Sequence, residues 1–457
     1  MNIISTNPSR NYEPIGEVQI TSNKEIEALV KNAHNAQKKW EKLKLSKRIS
    51  YLNDLLNRFS LERDTLSQLS SQEMGMPISQ ARGDMENGLN YFSWYLENAS
   101  KYLSPEITYQ KDGEINEVHY MPIGVVASVI SWNFPFSIFV WQVIQNLIVG
   151  NVVIFKHSEE TPLFGKEIER IFKESNIPEG VFTEVFGGKE TGEFLMQQDI
   201  DMITFTGSSK VGKKLYQIGA EKFIPVLMEL GGSAPGIVFE DADLDNIIES
   251  LYIKRFLNCG QCCDGLKRLI VHESRLDETI EKLTEIIGNK KFGLSEDEDT
   301  QIGPLASKTQ VDTIEKQVKD AINKGAKAVL GGKRPNHLKG AFFEPTILVN
   351  VTKDMAVWNE EVFGPVLPVV SFKNYEEAIT LANDTKYGLG GYVFTEDKKL
   401  FNQTVFDVKT GMLAHNSTSY VKPCNPFGGI KESGMSRENG KFGFHDVCQI
   451  KIISRDE

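Results

Sequence analysis

Cysteine is scarce in this chain: there are five in 457 residues, three of them crowded into Cys259-Gly-Gln-Cys-Cys263. That number and spacing exclude a disulfide framework of the kind that staples small secreted domains, and a reducing cytoplasm is the expected setting. Long apolar runs are also missing. The segment 138–148 is interrupted by Trp141, Gln142 and Gln145, and it falls short of the roughly 20 apolar residues that a membrane span requires. At the start, Met1-Asn-Ile-Ile-Ser-Thr6 has no basic segment followed by an apolar one, so no export signal is read there. Positive charge is not in excess. The 51 Lys and Arg against 62 Asp and Glu leave a net charge of −11, which excludes the basic face of a nucleic-acid binder. No low-complexity linker and no internal repeat interrupts the chain. What is present is ordinary globular composition, with 40% apolar and 25% charged residues. The length exceeds what one core usually holds, so two or more domains are expected.

Ser22-Asn-Lys-Glu25 is a capping box, and Ile26, Leu29, Val30, Ala33, Ala36 and Trp40 follow at helical spacing. Charged helix formers dominate the next hundred residues. From about residue 122 the pattern changes. Candidate buried strands at 125–130, 151–155, 202–206 and 236–239 alternate with helical segments such as 164–175 and 211–220. This is the βαβ rhythm of a parallel sheet covered on both faces. A second set of strands at 268–271, 328–330, 367–372 and 391–394 is separated by helical stretches at 278–287, 310–323 and 376–383. Two α/β domains are expected, with Glu229 and Cys263 near their junction, where ligand sites often lie.

Several motifs carry chemistry. After the 202–206 strand, Gly207-Ser-Ser-Lys-Val-Gly212 opens a helix, a turn that offers backbone N–H groups and a helix N-terminus to an anion. It is one residue from a P-loop, but Lys214 occupies the place of the Mg²⁺-binding Ser or Thr, and no Gly-x-Gly-x-x-Gly fingerprint is present. A phosphate cradle and a plain connection both fit the turn. Cys259-x-x-Cys262 lacks the second ligand pair of a structural zinc site, so no metal is expected, and no histidine stands in a papain-like context. Cys263 fits either an inert core thiol or a nucleophile. Glu229, flanked by Met228 and Leu230, fits a strand end or a desolvated general base. Asn133, in Trp132-Asn-Phe-Pro135, fits a turn residue or an oxyanion donor.

Order and separation decide between these alternatives. The matching segments are Ser131-Trp-Asn-Phe-Pro135, Phe155-Lys-His-Ser-Glu159, Phe205-Thr-Gly-Ser208, Glu229-Leu-Gly-Gly232, Gly260-Gln-Cys-Cys263, Glu360-Glu-Val-Phe-Gly-Pro365 and Asn425-Pro-Phe-Gly-Gly-Ile-Lys-Glu-Ser-Gly434. With them the chain resembles the NAD(P)-dependent aldehyde dehydrogenase superfamily along nearly its whole length. The resemblance implies an α/β fold of two Rossmann-like parallel-sheet domains plus a small β oligomerisation flap. It places an NAD-binding domain at 1–101 and 123–231, a catalytic domain at 232–430, and the flap at 102–122 and 431–457. A homodimer or homotetramer follows from the same analogy.

The implied chemistry starts at Cys263, the fourth residue of Gly-Gln-x-Cys, whose thiolate attacks an aldehyde. Asn133 and the Cys263 N–H hold the oxyanion, and Glu229 activates the water that hydrolyses a thioester. Family members that pass the acyl group to coenzyme A lack a glutamate at that position, so a hydrolytic enzyme is expected. For the cofactor, the resemblance puts Lys156 and Glu159 on the adenosine ribose and Gly207 and Ser208 near the pyrophosphate. Trp132 and Gly231 lie on the cofactor side, with Glu361 on the nicotinamide ribose and Phe363 beside the ring. The Glu159 carboxylate accepts ribose hydroxyls and repels a 2′-phosphate, so NAD is expected over NADP. The short chain and its Asn7-Pro-x-x-Asn11 opening resemble the succinate-semialdehyde branch. The places where that branch carries carboxylate-binding arginines hold Trp141 and Leu257 instead. A pocket of Phe134, Trp141, Leu257, Val421 and Phe427 is expected to take an uncharged aliphatic or aromatic aldehyde, while succinic semialdehyde is the alternative if Arg255 or Lys422 supplies a cation. Two other readings are a cofactor-free cysteine hydrolase and a non-catalytic NAD-binding protein. The first leaves Lys156, Glu159 and Glu361 without a role, and the second leaves Cys263, Glu229 and Asn133 without one.

Overall fold

A computed structural model describes residues 1–456. Its framework is two largely parallel sheets, each with its own apolar core. The first has six strands in the spatial order Gly434–Met435, Val226–Glu229, Met202–Thr206, Val125–Val129, Val152–Lys156, Phe182–Glu184. Only the Gly434–Met435 edge is antiparallel. Helices cover both faces, so the central strands are almost wholly buried and read in sequence as largely apolar runs.

The second sheet has seven strands, in the order Lys327–Leu330, Thr346–Val349, Val366–Phe372, Leu266–His272, Ala234–Val238, Tyr392–Phe394, Ala414–His415. It is antiparallel only at Lys327–Leu330. One expected strand changes sheets. The 236–239 segment, grouped in sequence with the first set, is Ala234–Val238, and it pairs with Leu266–His272 and Tyr392–Phe394 inside the second sheet. A hydrophobic run reports that a strand is buried, not which sheet buries it.

Local signals placed several elements well. Ser22 Oγ accepts from Glu25 N and Glu25 Oε2 accepts from Ser22 N (2.7 Å), closing the capping box on helix Asn23–Trp40. That helix buries Ile26, Val30, Ala33, Ala36 and Trp40. Short strands with little pattern of their own, Phe182–Glu184 and Thr346–Val349, are visible only in the sheets.

A third sheet stands apart: Glu106–Lys111, Glu114–Pro122 and Cys448–Asp456, all antiparallel, with Cys448 opposite Pro122 and Asp456 opposite Glu114. Ile107, Tyr109, Met121, Ile450 and Ile452 on this sheet are exposed. The C-terminal segment 431–457 therefore divides. Gly434–Met435 extends the six-stranded sheet beside Val226–Glu229, and helix Gly440–Asp446 packs on helix Ile78–Leu103 through Phe444 and Tyr95. Only Cys448–Asp456 joins the three-stranded sheet. No helix among the described residues is long and apolar enough to cross a membrane.

Behind the 131–135 turn runs a helix of three parts, Pro135–Phe139, a π-helical turn Val140–Ile144, and Gln145–Val149. The wide turn carries Trp141 and Gln142, in keeping with the placement of such turns at functional sites. Phe139 anchors it, with ring centroids 5.5 Å from Phe59 and Phe155, 6.0 Å from Phe136 and Phe182, and 6.1 Å from Phe172. Phe139→Ala leaves a cavity at the centre of this cluster and is expected to destabilise the six-stranded domain by about 3–5 kcal/mol. Urea unfolding followed by near-UV circular dichroism measures this, and a midpoint equal to wild type contradicts it.

Candidate active site

The site forms where the chain passes between the two large sheets. In chain order strand Val226–Glu229 is followed by strand Ala234–Val238 of the second sheet, so Glu229 stands at the C-terminal end of its strand, facing the junction. Thr206 lies opposite it on one side and Gly434 on the other. Glu229 is 3% exposed, and neither carboxyl oxygen has a hydrogen-bond partner. Backbone packs tightly against it: a Cβ on Gly428 would sit 2.6 Å from Glu229 Oε1. Burial holds the Glu229 carboxyl well above the usual carboxylate range, Glu438 adds to the rise, and Arg437 opposes it. Glu438 is buried too, pushed up to about 8 by burial against a hydrogen bond with Gln142. Gln142 is fixed in turn. Its Oε1 accepts from Ser128 Oγ (2.7 Å) and Thr204 Oγ1 (3.1 Å), and its Nε2 donates to Thr206 Oγ1 (2.6 Å).

The cysteine loop follows helix Leu244–Phe256. Asn258, Cys259 and Gly260 all take positive φ (49°, 54° and 75°), an arrangement that costs energy at the two non-glycine positions and persists because neighbours hold it. Gln80 Oε1 accepts from Asn258 N (2.8 Å), Asn258 Nδ2 donates to Asn133 O (2.7 Å), and Gln261 Oε1 accepts from Ala306 N (2.9 Å). At Gly260 a Cβ would lie 2.4 Å from Gly364 O, so only glycine fits. Cys259 and Cys262 are buried, whereas Cys263 is partly exposed. Burial raises the Cys263 thiol well above its ordinary range, with Asp264 adding and Lys267 opposing.

Asn133 lies alongside. Its Oδ1 accepts from Ser131 Oγ (2.7 Å) and its Nδ2 donates to Gln261 O (2.9 Å). These two bonds fix the amide orientation and leave one N–H uncommitted. Asn133 is 2% exposed.

Cys263 packs in a cluster with Leu389, Met412, Phe427, Trp141, Tyr420 and Val421. Of the expected pocket residues, Trp141, Val421 and Phe427 are therefore brought together with the thiol, with Trp141 and Phe427 ring centroids 5.1 Å apart. The other two are placed differently. Phe134 packs with Trp132 against Met74, Met76, Ala81 and Ala306, and Leu257, just past its helix, is 36% exposed and outside the thiol's cluster. Leu389, Met412 and Tyr420 are pocket residues that sequence reasoning missed, and Tyr420 is the polar one. Its Oη bonds Tyr392 Oη (2.9 Å) and the Asp264 carboxyl, and Tyr392 Oη donates to Asp264 O (2.8 Å). Asp264 is thus a half-buried acid whose carboxyl is held by Tyr420 and whose peptide carbonyl is held by Tyr392, and desolvation raises that carboxyl.

The fit to a dinucleotide rests on the second group of expected residues. Ser208 caps helix Ser209–Lys222, and Gly207 leaves no room for a Cβ, which would meet the Phe205 ring at 2.5 Å. Lys156 is buried at the end of its strand, donating to His157 O (3.0 Å) and lying 3.5 Å from the exposed Glu159 carboxylate. Trp132 and Phe363 meet edge to face at 5.6 Å. Gly231 has Glu361 against it, where a Cβ would fall 2.2 Å from the carboxylate. Helix N-terminus, glycine clearance, carboxylates and aromatic faces are the elements a pyrophosphate, two riboses and a flat ring require, so the residues fit the group. Lys267, Glu438, Gln142 and Tyr420 carried no motif in sequence. Only their meeting with Cys263 and Glu229 marks them.

Comparison with known proteins places the whole chain in one family. The model of the aldehyde dehydrogenase family matches residues 1–453. Aminoaldehyde dehydrogenase 1 of Pisum sativum, peroxisomal, is 36% identical over 99% of this chain and 92% of its own. Glutarate-semialdehyde dehydrogenase of Pseudomonas aeruginosa is 34% identical over 98% and 93%, and succinate-semialdehyde dehydrogenase of Oryza sativa, mitochondrial, 34% over 96% and 84%. Among solved structures, an NAD-dependent aldehyde dehydrogenase from Sinorhizobium meliloti superimposes with a TM-score of 0.96 at 32% identity, covering 100% of this chain and 92% of that one. PnpE in complex with nicotinamide adenine dinucleotide gives 0.96 at 31%, covering 100% and 94%. The chain belongs to the aldehyde dehydrogenase family, and it is an NAD(P)-using oxidoreductase that acts on aldehydes.

Proposed function

We propose that this enzyme oxidises an uncharged aliphatic or aromatic aldehyde to its carboxylate with NAD, through a thioester on Cys263 hydrolysed by water that Glu229 activates. The observation that carries this reading is Glu229: a fully buried carboxyl with no partner on either oxygen, close enough to Cys263 to bias its thiol. An unpartnered buried acid is costly unless a reaction uses it. In this reading the Cys263 thiolate adds to the aldehyde carbon, and the free Asn133 N–H with the Cys263 backbone N–H holds the resulting oxyanion. NAD, when bound, would supply the hydride acceptor for that carbon, and Cys263 would be left holding the acyl group as a thioester. Glu229 then takes one proton from water as it attacks the thioester, the C–S bond breaks to free the Cys263 thiolate, and the acid released loses its remaining proton to solvent as the carboxylate.

The six-stranded domain (1–101 and 123–231) would hold NAD with Lys156, Glu159, Gly207, Ser208 and Trp132. The 232–430 domain would supply Cys263, together with Glu361 and Phe363 for the nicotinamide end. Glu159, more than half exposed, favours NAD because its charge opposes a 2′-phosphate. The exposed isoleucines of the three-stranded sheet suit pairing with a second copy in a homodimer or homotetramer.

Three experiments test this reading. Cys263→Ala is expected to abolish NADH formation from any aldehyde while NAD still binds, and Cys262→Ala to retain most activity. Full activity in the Cys263 variant contradicts the mechanism. The pH dependence follows from burial. A carboxyl raised above its usual range is protonated, and inert as a base, below its pKa, so deprotonation of Glu229 and of the raised Cys263 thiol both increase with pH. Turnover is expected to climb with pH above the ordinary carboxylate range, and a profile that stays flat down into that range contradicts a raised base.

The third experiment concerns charge. Arg255 is 1% exposed, and its Nη2 donates to the backbone oxygens Val362 O and Gly364 O while its Nε and Nη1 have no partner. Lys422 is exposed. With Asp264 beside the nucleophile, a substrate carboxylate meets an acid where it needs a cation. Butanal is expected to exceed succinic semialdehyde in kcat/KM by at least about tenfold. The reverse preference restores the succinate-semialdehyde alternative.

A further inference from the structure

Lys267 belongs to no motif and has no part in the reaction as written, yet it is among the most enclosed charges in the molecule. Its side chain is 1% exposed and sits on strand Leu266–His272, four residues after Cys263. A buried ammonium has three N–H donors to satisfy. Lys267 Nζ donates to Gly232 O (2.9 Å), to Cys263 O (3.0 Å) and to Glu361 Oε1, which makes the closest contact of the three. The Phe363 ring lies 5.1 Å away, within cation–π range. One side chain thus joins the crossover between the sheets, the nucleophile's own peptide and the loop before strand Val366–Phe372.

The bonding at Glu361 is asymmetric. Oε1 accepts from both Lys267 and Gly232 N (3.0 Å), whereas Oε2 accepts no hydrogen bond among the described residues. Oε2 lies over Gly231, where any Cβ would collide with it at 2.2 Å, and the side chain is 18% exposed. One oxygen is anchored and the other is offered outward on the cofactor side. We infer that Lys267 is a positioning residue that locks the Cys263 peptide and presents the free oxygen of Glu361 to a hydroxyl of the nicotinamide ribose. This rests on the roles proposed above for Cys263 and Glu361. Charge alone does not account for the arrangement, because an ion pair at this site would not require the two backbone carbonyls to converge on the same ammonium.

The test compares wild type, Lys267→Met, Glu361→Gln and the double variant by quenching of tryptophan fluorescence on NAD addition and by steady-state kinetics. Lys267→Met is expected to raise Kd and KM for NAD about tenfold, with a smaller change in KM for the aldehyde. In the Glu361→Gln background it is expected to add nothing further to the loss of NAD binding. Lys267→Gln, which keeps an N–H donor without the charge, is expected to fall between. If Glu361→Gln leaves NAD binding unchanged, the proposed role of Glu361 fails. If Glu361→Gln weakens NAD binding but Lys267→Met does not, or if the two losses add, the role of Lys267 fails while the broader reading stands. If neither Lys267 variant melts as a folded protein, the ammonium serves folding alone and the inference is overturned.

Discussion

The chain leaves the six-stranded sheet at Glu229 and enters the seven-stranded sheet at Ala234, so residues 230–233 carry it across the boundary between two cores. The rest of the site depends on this short crossover. Glycine at 231 and 232 lets two other segments come up against it: the Glu361 carboxylate at Gly231, and the Cys263 carbonyl at Gly232, where a Cβ would lie 2.5 Å away. A side chain at either position would push the nucleophile loop or the Glu361 loop off the junction. Glu229 ends the strand on one side of the crossover, and Lys267 fastens the other side to the cysteine loop.

Around the crossover the structure concentrates charge in places from which water is excluded. Glu229 and Glu438 lie near each other, and burial raises both carboxyls, with Arg437 opposing the rise at Glu229. Gln142 holds Glu438 with a neutral amide rather than a charge, and the hydroxyls of Ser128, Thr204 and Thr206 orient that amide. On the other side of the thiol, Asp264 is held by Tyr420 and Tyr392. Acids removed from water in this way carry a desolvation cost, and they cluster where proton transfer or substrate discrimination requires them. The strained backbone at Asn258 and Cys259 belongs to the same pattern: an unfavourable conformation held in place by Gln80, Asn133 and Gln261.

The pocket shows how far one motif reaches. Trp141 comes from the π-helical turn behind Asn133, and Val421 and Phe427 from the segment that returns to the edge of the six-stranded sheet. They meet at Cys263 although the three segments are more than 100 residues apart in sequence. Phe134, next to Asn133, packs toward Met74 and Met76 instead, because adjacent residues in a tight turn point in different directions.

Sequence by itself determined whatever has a local cause. The capping box at Ser22, the buried strands at 125–130 and 202–206, the glycine turn at Gly207 and the two-domain α/β rhythm all follow from spacing and residue type over a few positions. The seven ordered segments that include Cys263, Glu229 and Asn133 placed the chain in its family without any coordinates. Tertiary structure alone decided the contacts between segments far apart in the chain. It moved Ala234–Val238 into the second sheet, divided 431–457 between two sheets, left Leu257 outside the thiol's cluster, brought Tyr420 into that cluster and Lys267 to the Cys263 carbonyl, and set Glu438 beside Glu229. The physical reason is that burial, pairing and the pKa of a carboxyl or ammonium are set by what packs against it, and a residue carries no local signal of a partner one hundred positions away.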